Sequence, residues 1–191
     1  MVSAGVRRLV NTGTGWQHFG GAEYNPVALY AATKQAFETM VRYYTGLHDL
    51  KVVHLRFFDT YGPLDPRPKL FQALRSAVEH GTKLEMAQGN KLINLVYVDE
   101  AIDAFLRAEV LLRGQSVPEN RYSVIPSAPQ TLWDVVETYF SVLGKEAPLA
   151  WGARPNRNRE MLEPWNAGPI VPGWSAKISL REGIRRMENE S

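Results

Sequence analysis

The sequence has 191 residues, a formal net charge of +2 and no cysteine. This length allows one well-packed core, so a single domain is the simplest expectation. The small net charge, carried by scattered basic residues, argues against a nucleic-acid binder, and the lack of cysteine excludes disulfides, thiolate nucleophiles and cysteine-ligated zinc. We expect a cytoplasmic protein, because no apolar run reaches the roughly 20 residues of a membrane span and the start does not resemble a secretory signal. The four histidines lack metal-ligand spacing, so no metal is expected.

The first predicted strand covers residues 7–11 and runs into Thr12-Gly13-Thr14-Gly15. Two hydroxyl side chains at the carboxyl end of a strand suit a ligand site, because ligands of open α/β sheets bind at that edge. The glycines could equally form only a turn. They do not match the spaced glycine pattern that cradles a dinucleotide pyrophosphate, and that pattern occurs nowhere else in the sequence.

Residues 16–25 are predicted to form a loop, followed by a helix over 27–47 that carries Tyr30 and Lys34. Four residues is just over one helical turn, so both side chains lie on one face. An ammonium near a tyrosine hydroxyl favours the phenolate and lowers a pKa that is ordinarily about 10, which suits proton exchange with a substrate oxygen. An amphipathic helix with a lysine that extends to solvent has the same spacing, so the pair alone does not establish a site.

The clearest predicted strand covers 51–58, a nearly continuous apolar run of the kind that is buried on both faces. Strand, helix and strand in this order predict a parallel α/β sheet. The loop after this strand begins at Asp59. Because the carboxyl ends of parallel strands meet at one edge, Thr12 and Asp59 are expected to open on the same edge.

Hydrophobic periodicity and turn residues predict alternating helices and strands in the rest of the chain. The predicted elements are a helix over 69–80, a short strand over 84–86, a strand over 92–97, a helix over 99–112 with Asp99 as N-cap, a strand over 121–125, a helix from Thr131 to 143, a short strand over 149–152 and a last helix after Ser179. Thr131 and Ser179 each begin a capping-box sequence.

Arg154, Arg157 and Arg159 lie in a short irregular segment. One interpretation is a solvated surface loop. The other is phosphate binding, for which the planar guanidinium of arginine is suited.

Six segments follow one another in the order found in a single enzyme family. They are Val10-Asn11-Thr12, Tyr30-x-x-x-Lys34, residues 55–63 (Leu-Arg-Phe-Phe-Asp-Thr-Tyr-Gly-Pro), residues 96–100 (Val-Tyr-Val-Asp-Glu), Arg154-Pro155, and residues 172–174 with 179–183. Together they resemble the extended short-chain dehydrogenase/reductase superfamily of NAD(P)-dependent sugar-nucleotide epimerases, dehydratases and reductases. Residues 11–19, 92–97 and 151–155 look most like the CDP-abequose and paratose synthase branch, which reduces the 4-keto group of a CDP-linked deoxysugar.

The resemblance implies a catalytic role for Tyr30, Lys34 and Thr12. Tyr30 is implied to be the general acid that protonates the C4 oxygen. Lys34 is implied to lower the pKa of Tyr30 and to hydrogen-bond the nicotinamide ribose. Thr12, or alternatively Thr14, is implied to hydrogen-bond the same substrate oxygen, and Phe57 to approach the nicotinamide.

The resemblance also implies substrate-binding residues, with some departures from the family pattern. Asp59 and Arg154 are implied to hold the sugar and the diphosphate. Asp59 stands where the family usually has asparagine, and Lys69 occupies a position that is often asparagine. The arginine common before residues 96–100 is absent, so the contacts to the nucleotide base do not transfer.

The family begins with a strand, a glycine-rich turn and a helix, and this sequence contains no such turn. We therefore expect an α/β chain with an incomplete Rossmann-like fold: a doubly wound parallel sheet without its N-terminal dinucleotide-binding half, and a small C-terminal substrate-binding lobe. We expect one partial domain over 1–191. Its sheet and catalytic part are expected over about 1–62 and 92–112, and its lobe over about 63–91 and 115–175.

Three functions are compatible with these features. The first is reduction of a 4-keto nucleotide sugar, with NAD or NADP as cofactor and a cofactor site that is incomplete in this chain. The second is a C4 epimerase or dehydratase of the same superfamily. The third is a non-catalytic half-domain that binds a nucleotide sugar or a partner chain. Expected partners are the nucleotide sugar and either a second copy or a complementing N-terminal chain, with no nucleic acid and no membrane.

Overall fold

Strands and helices alternate along the chain in a computed structural model that describes residues 1–114, 116–126 and 128–190. The strands are β1 (Arg8–Thr14), β2 (Lys51–Phe57), β3 (Asp59–Tyr61), β4 (Leu84–Glu85), β5 (Leu92–Ile93), β6 (Leu95–Tyr97), β7 (Glu119–Val124), β8 (Gln130–Thr131) and β9 (Leu149–Ala150). The helices are α1 (Leu29–Leu47), α2 (Leu70–His80), α3 (Val98–Gly114), α4 (Leu132–Leu143) and α5 (Leu180–Asn189). None of the helices in these ranges is long and apolar enough to cross a membrane.

A parallel sheet in the order β1-β2-β7 forms the centre of the fold. β1 pairs with β2 from Arg8 opposite Lys51 to Thr14 opposite Phe57, and β7 pairs with the other edge of β2. Three short pairs lie outside this sheet: β3 with β6 and β4 with β9, both parallel, and β5 with β8, antiparallel. The parallel order confirms the predicted α/β class.

Helices α1 and α3 cover opposite faces of this sheet. Alternate side chains of a strand point to opposite faces. Leu55 belongs to the core cluster that includes Ala104 of α3, whereas Val52 packs with Val41 of α1. The continuous apolar run of β2 is thereby explained, because the strand is buried on both sides.

A second core cluster joins α2, α4 and α5 to β3 and β6. Its fully buried members include Leu74, Val135, Tyr139 and Ile184. Thr131 and Ser179 accept hydrogen bonds from the backbone N–H groups of Asp134 and Glu182, and so cap α4 and α5 as predicted. The division of the chain into a catalytic part and a lobe stays a prediction.

Several predicted boundaries were wrong. β1 continues through Thr14 because residues 12–14 pair with β2, although their glycines suggested a turn. The strand predicted over 92–97 is two short strands that separate at the buried Asn94 and pair with different partners. α3 begins at Val98, so Asp99 lies in its first turn and is not the N-cap.

Candidate active site

Lys34 connects α1 to the carboxyl half of β1. Its Nζ donates a hydrogen bond of 3.0 Å to the backbone carbonyl oxygen of Thr12. The same Nζ lies 5.7 Å from the centroid of the Tyr30 ring. The spacing therefore places both side chains on one helix face, as predicted, and the hydrogen bond places that face beside the carboxyl half of the edge strand β1. Tyr30 is 58% exposed, so its side chain is open to a ligand.

The two candidate hydroxyls, on Thr12 and Thr14, differ in their surroundings. Thr12 is exposed, and its hydroxyl has no hydrogen-bond partner in the described part of the chain. Thr14 is buried, and its Oγ1 accepts from the backbone N–H of Trp16 as the cap of a 3₁₀ turn (Gly15–Gln17). A hydroxyl that already caps a turn is less available to a substrate, so the geometry favours Thr12.

Asp59 and Lys69 lie together at the carboxyl end of β2. The Nζ of Lys69 is 3.8 Å from Oδ1 of Asp59, and about a third of each side chain is exposed. Burial raises the pKa of the Asp59 carboxyl, while the positive charges of Lys69, Lys91 and Arg67 oppose this rise. Two of the predicted substrate-binding residues therefore form one charged pair at the predicted edge of the sheet.

Phe57 lies on the other side of the sheet from α1. Its ring stacks on Phe105 of α3 with the centroids 5.5 Å apart, and only 7% of the residue is exposed. The contacts of Phe57 are thus those of a core residue. Its approach to a nicotinamide stays a prediction.

Two of the arginines of the irregular segment, Arg154 and Arg159, have different surroundings. Arg154 is exposed, and its backbone N–H donates to the carbonyl of Met86. Arg159 donates to Asn25 and to the carbonyl oxygen of Pro26, and its guanidinium lies 4.5 Å from the ring centroid of Phe19. Arg159 therefore ties this segment to the loop before α1, whereas Arg154 remains available for an anionic ligand.

A shallow surface cavity opens beside Asp59, and the sequence did not predict it. Its wall includes Trp16, Phe58, Lys91 and Asn94. Lys91 forms an ion pair with Glu160 and lies 5.4 Å from the ring centroid of Trp16. The sequence signal for this cavity was an aromatic residue within two positions of the ends of β1 and β2, Trp16 and Phe58.

Gly15 allows the ring of Phe58 to lie against the backbone beside this cavity. A Cβ atom at this position would come within 2.2 Å of the Phe58 ring, which is far below van der Waals contact. The close approach explains the glycine that directly follows β1. No cluster of three or more His, Asp or Glu side chains that could hold a metal occurs in the described ranges.

An open parallel sheet with helices on both faces and polar residues at the carboxyl ends of its strands is a Rossmann-like α/β fold. The chain belongs to the NAD dependent epimerase/dehydratase family, whose family model matches residues 1–122.

Individual relatives are similar over most of this chain. It is 27% identical to UDP-glucose 4-epimerase of Mycolicibacterium smegmatis over 96% of this chain and 62% of the relative. It is 23% identical to CDP-abequose synthase of Salmonella typhimurium over 86% of this chain and 56% of the relative.

The structural comparison gives the same fold. The UDP-glucose 4-epimerase of Thermus thermophilus, solved with NAD, superposes with a TM-score of 0.79 at 23% identity, over 98% of this chain and 65% of that one. This similarity shows the fold. The chain thus spans roughly half to two-thirds of the length of these relatives.

Proposed function

We propose that the chain carries the catalytic and substrate-binding part of an NAD(P)-dependent oxidoreductase that reduces the 4-keto group of a nucleotide-linked deoxysugar. The observation that carries this proposal is the position of Lys34, which lies beside Tyr30 and is hydrogen-bonded to the strand end at Thr12. The nicotinamide cofactor supplies the hydride when it is bound. Tyr30 gives its hydroxyl proton to the C4 oxygen, and Thr12 donates a hydrogen bond to the same oxygen.

Asp59, Lys69 and Arg154 would hold the substrate. The Asp59 carboxylate accepts hydrogen bonds from sugar hydroxyls, and the positive charges of Lys69 and Arg154 attract the diphosphate. Tyr30 and Lys34 suit contact with the nicotinamide end of the cofactor. The side chain of Tyr30 is exposed to solvent, and the ammonium of Lys34 lies at the carboxyl half of β1, where the cofactor would bind. The sequence has no spaced glycines for the pyrophosphate, so we propose that this part of the site comes from a complementing unit.

The open edge of β1 is the proposed place for this unit. No strand among the described residues pairs with the outer edge of β1. Exposed apolar residues lie on both helices that cover the sheet: Tyr30, Phe37 and Tyr44 on α1, and Ile102, Leu106 and Val110 on α3. An unpaired strand edge, together with exposed apolar residues on the helices of both sheet faces, fits a partner that adds a parallel strand covered by helices. These relatives are longer than the stretch that this chain matches, so we propose that the complementing unit corresponds to their unmatched part.

The proposal can be tested by mixing the purified chain with a dinucleotide-binding unit taken from the unmatched part of the Mycolicibacterium smegmatis relative. We expect stoichiometric NADH or NADPH oxidation with a 4-keto nucleotide sugar, and none with either part alone. Interconversion of C4 epimers without net cofactor oxidation would instead support the epimerase function. A mixture that associates and binds cofactor, yet changes no nucleotide sugar, would contradict both.

A further inference from the structure

We propose that Gln17 is a positioning residue that holds α1 against the end of β1 and thereby fixes Tyr30 and Lys34 relative to Thr12. This inference rests on the proposed function. Gln17 is fully buried and belongs to the distinctive segment 11–19, in which only the threonines had an expected role.

The side chain of Gln17 bonds to both elements of the site. Its Oε1 accepts a hydrogen bond of 3.0 Å from the backbone N–H of Thr14 at the end of β1. Its Nε2 donates to Oε1 of Gln35 at 2.7 Å and to Oε1 of Glu38 at 3.2 Å, and both of these residues lie on α1. On β1, Thr14 is two residues after Thr12. On α1, Gln35 directly follows Lys34, and Glu38 is about one turn further along the helix. One amide therefore connects the two segments that carry the proposed catalytic residues.

Two further features make this connection rigid. Glu38 is 1% exposed, and its Oε2 lies 3.5 Å from guanidinium nitrogens of both Arg56 and Arg121. Gly13 allows the helix to approach, because a Cβ at this position would lie 3.0 Å from Oε1 of Glu38. The carboxylate that receives the Gln17 bond is thus held by two cations and by a close helix–strand contact.

The neutral amide of Gln17 meets a requirement that similar side chains do not. Methionine has nearly the same shape but would leave the Thr14 N–H without its acceptor. Glutamate would place a second carboxylate beside Glu38, where burial makes repulsion strong. Loss of the connection would let α1 shift relative to β1, and a misplacement of about 1 Å at a catalytic group can cost about 10²-fold in rate.

The test compares kcat and KM of Gln17→Met with those of the unmodified chain, both combined with the dinucleotide-binding unit. We expect kcat to fall at least about tenfold while KM stays within about twofold, because substrate contacts at Asp59 and Lys69 are unchanged. Gln35→Met keeps the bonds of Gln17 to Thr14 and Glu38, so its kcat should fall less. Val136→Ala, in the second core cluster, controls for a general loss of stability and should leave kcat of the folded protein unchanged.

Three results are distinguishable. A Gln17→Met protein that is less stable but keeps its kcat would overturn the positioning role while the proposed function stands. A fall in kcat of equal size in Val136→Ala would also overturn it, because the effect would then be one of stability alone. If the unmodified combination binds cofactor and substrate but shows no turnover, the proposed function fails, and the positioning role fails with it.

Discussion

Lys34 and Thr12 are joined by a hydrogen bond from the ammonium of Lys34 to the backbone carbonyl oxygen of Thr12, 3.0 Å long. Because the acceptor is a backbone atom, the bond is independent of the side chain at position 12. The Thr12 hydroxyl is then free for a ligand, while Lys34 stays fixed at the strand end. This arrangement allows the roles of the side chains to be tested one at a time.

Tyr30→Phe removes the proposed general acid and little else, because the phenol group is exposed. We expect turnover by the complemented chain to fall by about 10²–10⁴-fold, the usual contribution of a positioned proton donor. Tyr24→Phe is the matched control, since Tyr24 is also half-exposed and has no proposed role. Equal turnover in the two variants would remove Tyr30 from the mechanism.

Thr12→Val and Thr14→Val separate the two hydroxyls. Thr12→Val keeps the Lys34 bond and should lower kcat by about 10²-fold without changing stability, because it removes one donor to the substrate oxygen. Thr14→Val removes the cap on Trp16 and should lower the free energy of unfolding by about 1 kcal/mol. Kinetics and urea unfolding of both variants check this, and the reversed pattern would assign the catalytic hydroxyl to Thr14.

His54 gives the stability a pH dependence. Burial lowers the pKa of His54 below its ordinary value of 6.5; the nearby Glu38 and Glu119 oppose this shift, and Arg121 and Arg56 add to it. As the pH falls below about 6.5, the unfolded chain therefore takes up a proton at His54 that the folded chain does not. The contribution of His54 to the free energy of unfolding is complete above about pH 6.5 and is lost as the pH falls below it. Urea unfolding across this range should show the loss.

The variant His54→Gln tests the assignment of this pH dependence. Asn11 Nδ2 lies 3.0 Å from His54 Nδ1, and a glutamine can still accept from it. We expect a shallower fall in unfolding free energy below about pH 6.5, with the remainder due to the buried His18, whose pKa burial also lowers. An unchanged pH profile would exclude His54 as a source.

Gly15→Ala and Gly46→Ala should have opposite effects on stability. At Gly15 the new methyl group would meet the Phe58 ring at 2.2 Å, so we expect a loss of about 1–3 kcal/mol. At Gly46, inside α1, a Cβ would have nothing within 4 Å, so alanine should stabilise the helix by about 0.5–1 kcal/mol. Thermal unfolding of both variants checks the packing at the end of β1.

Leu106→Lys tests the proposed docking surface. Leu106 is 63% exposed on α3, so the substitution should change folding stability by less than about 0.5 kcal/mol. A lysine there would be desolvated under a docked unit, and we expect the affinity for the dinucleotide-binding unit to fall at least about tenfold, measured by calorimetry. Leu162→Lys, 46% exposed and outside both α1 and α3, is the control and should bind normally. Equal affinities would place the unit elsewhere.

The sequence predicted the elements whose signals are local. The apolar run of β2, the periodicity of α1 and the caps at Thr131 and Ser179 each appear within a few residues, and the structure confirms them. The pairing of Tyr30 with Lys34 on one face followed from helical geometry alone.

Features that depend on distant partners were not predictable in this way. β1 extends through Thr14 because β2 supplies its hydrogen bonds, which outweighs the turn preference of glycine. The side on which Phe57 lies cannot be read from a continuous apolar run. The role of Gln17 depends on Glu38, which is 21 residues away, and Arg159 reaches Asn25 across 134 residues.

The most direct test of the central claim is a titration of the chain with NADH and NADPH, followed by nicotinamide fluorescence, with and without the dinucleotide-binding unit. The account predicts saturable binding only when both parts are present, and weaker binding when the chain carries Leu106→Lys. Saturable binding by the chain alone would show that it builds a cofactor site by itself, and would contradict the requirement for a complementing unit.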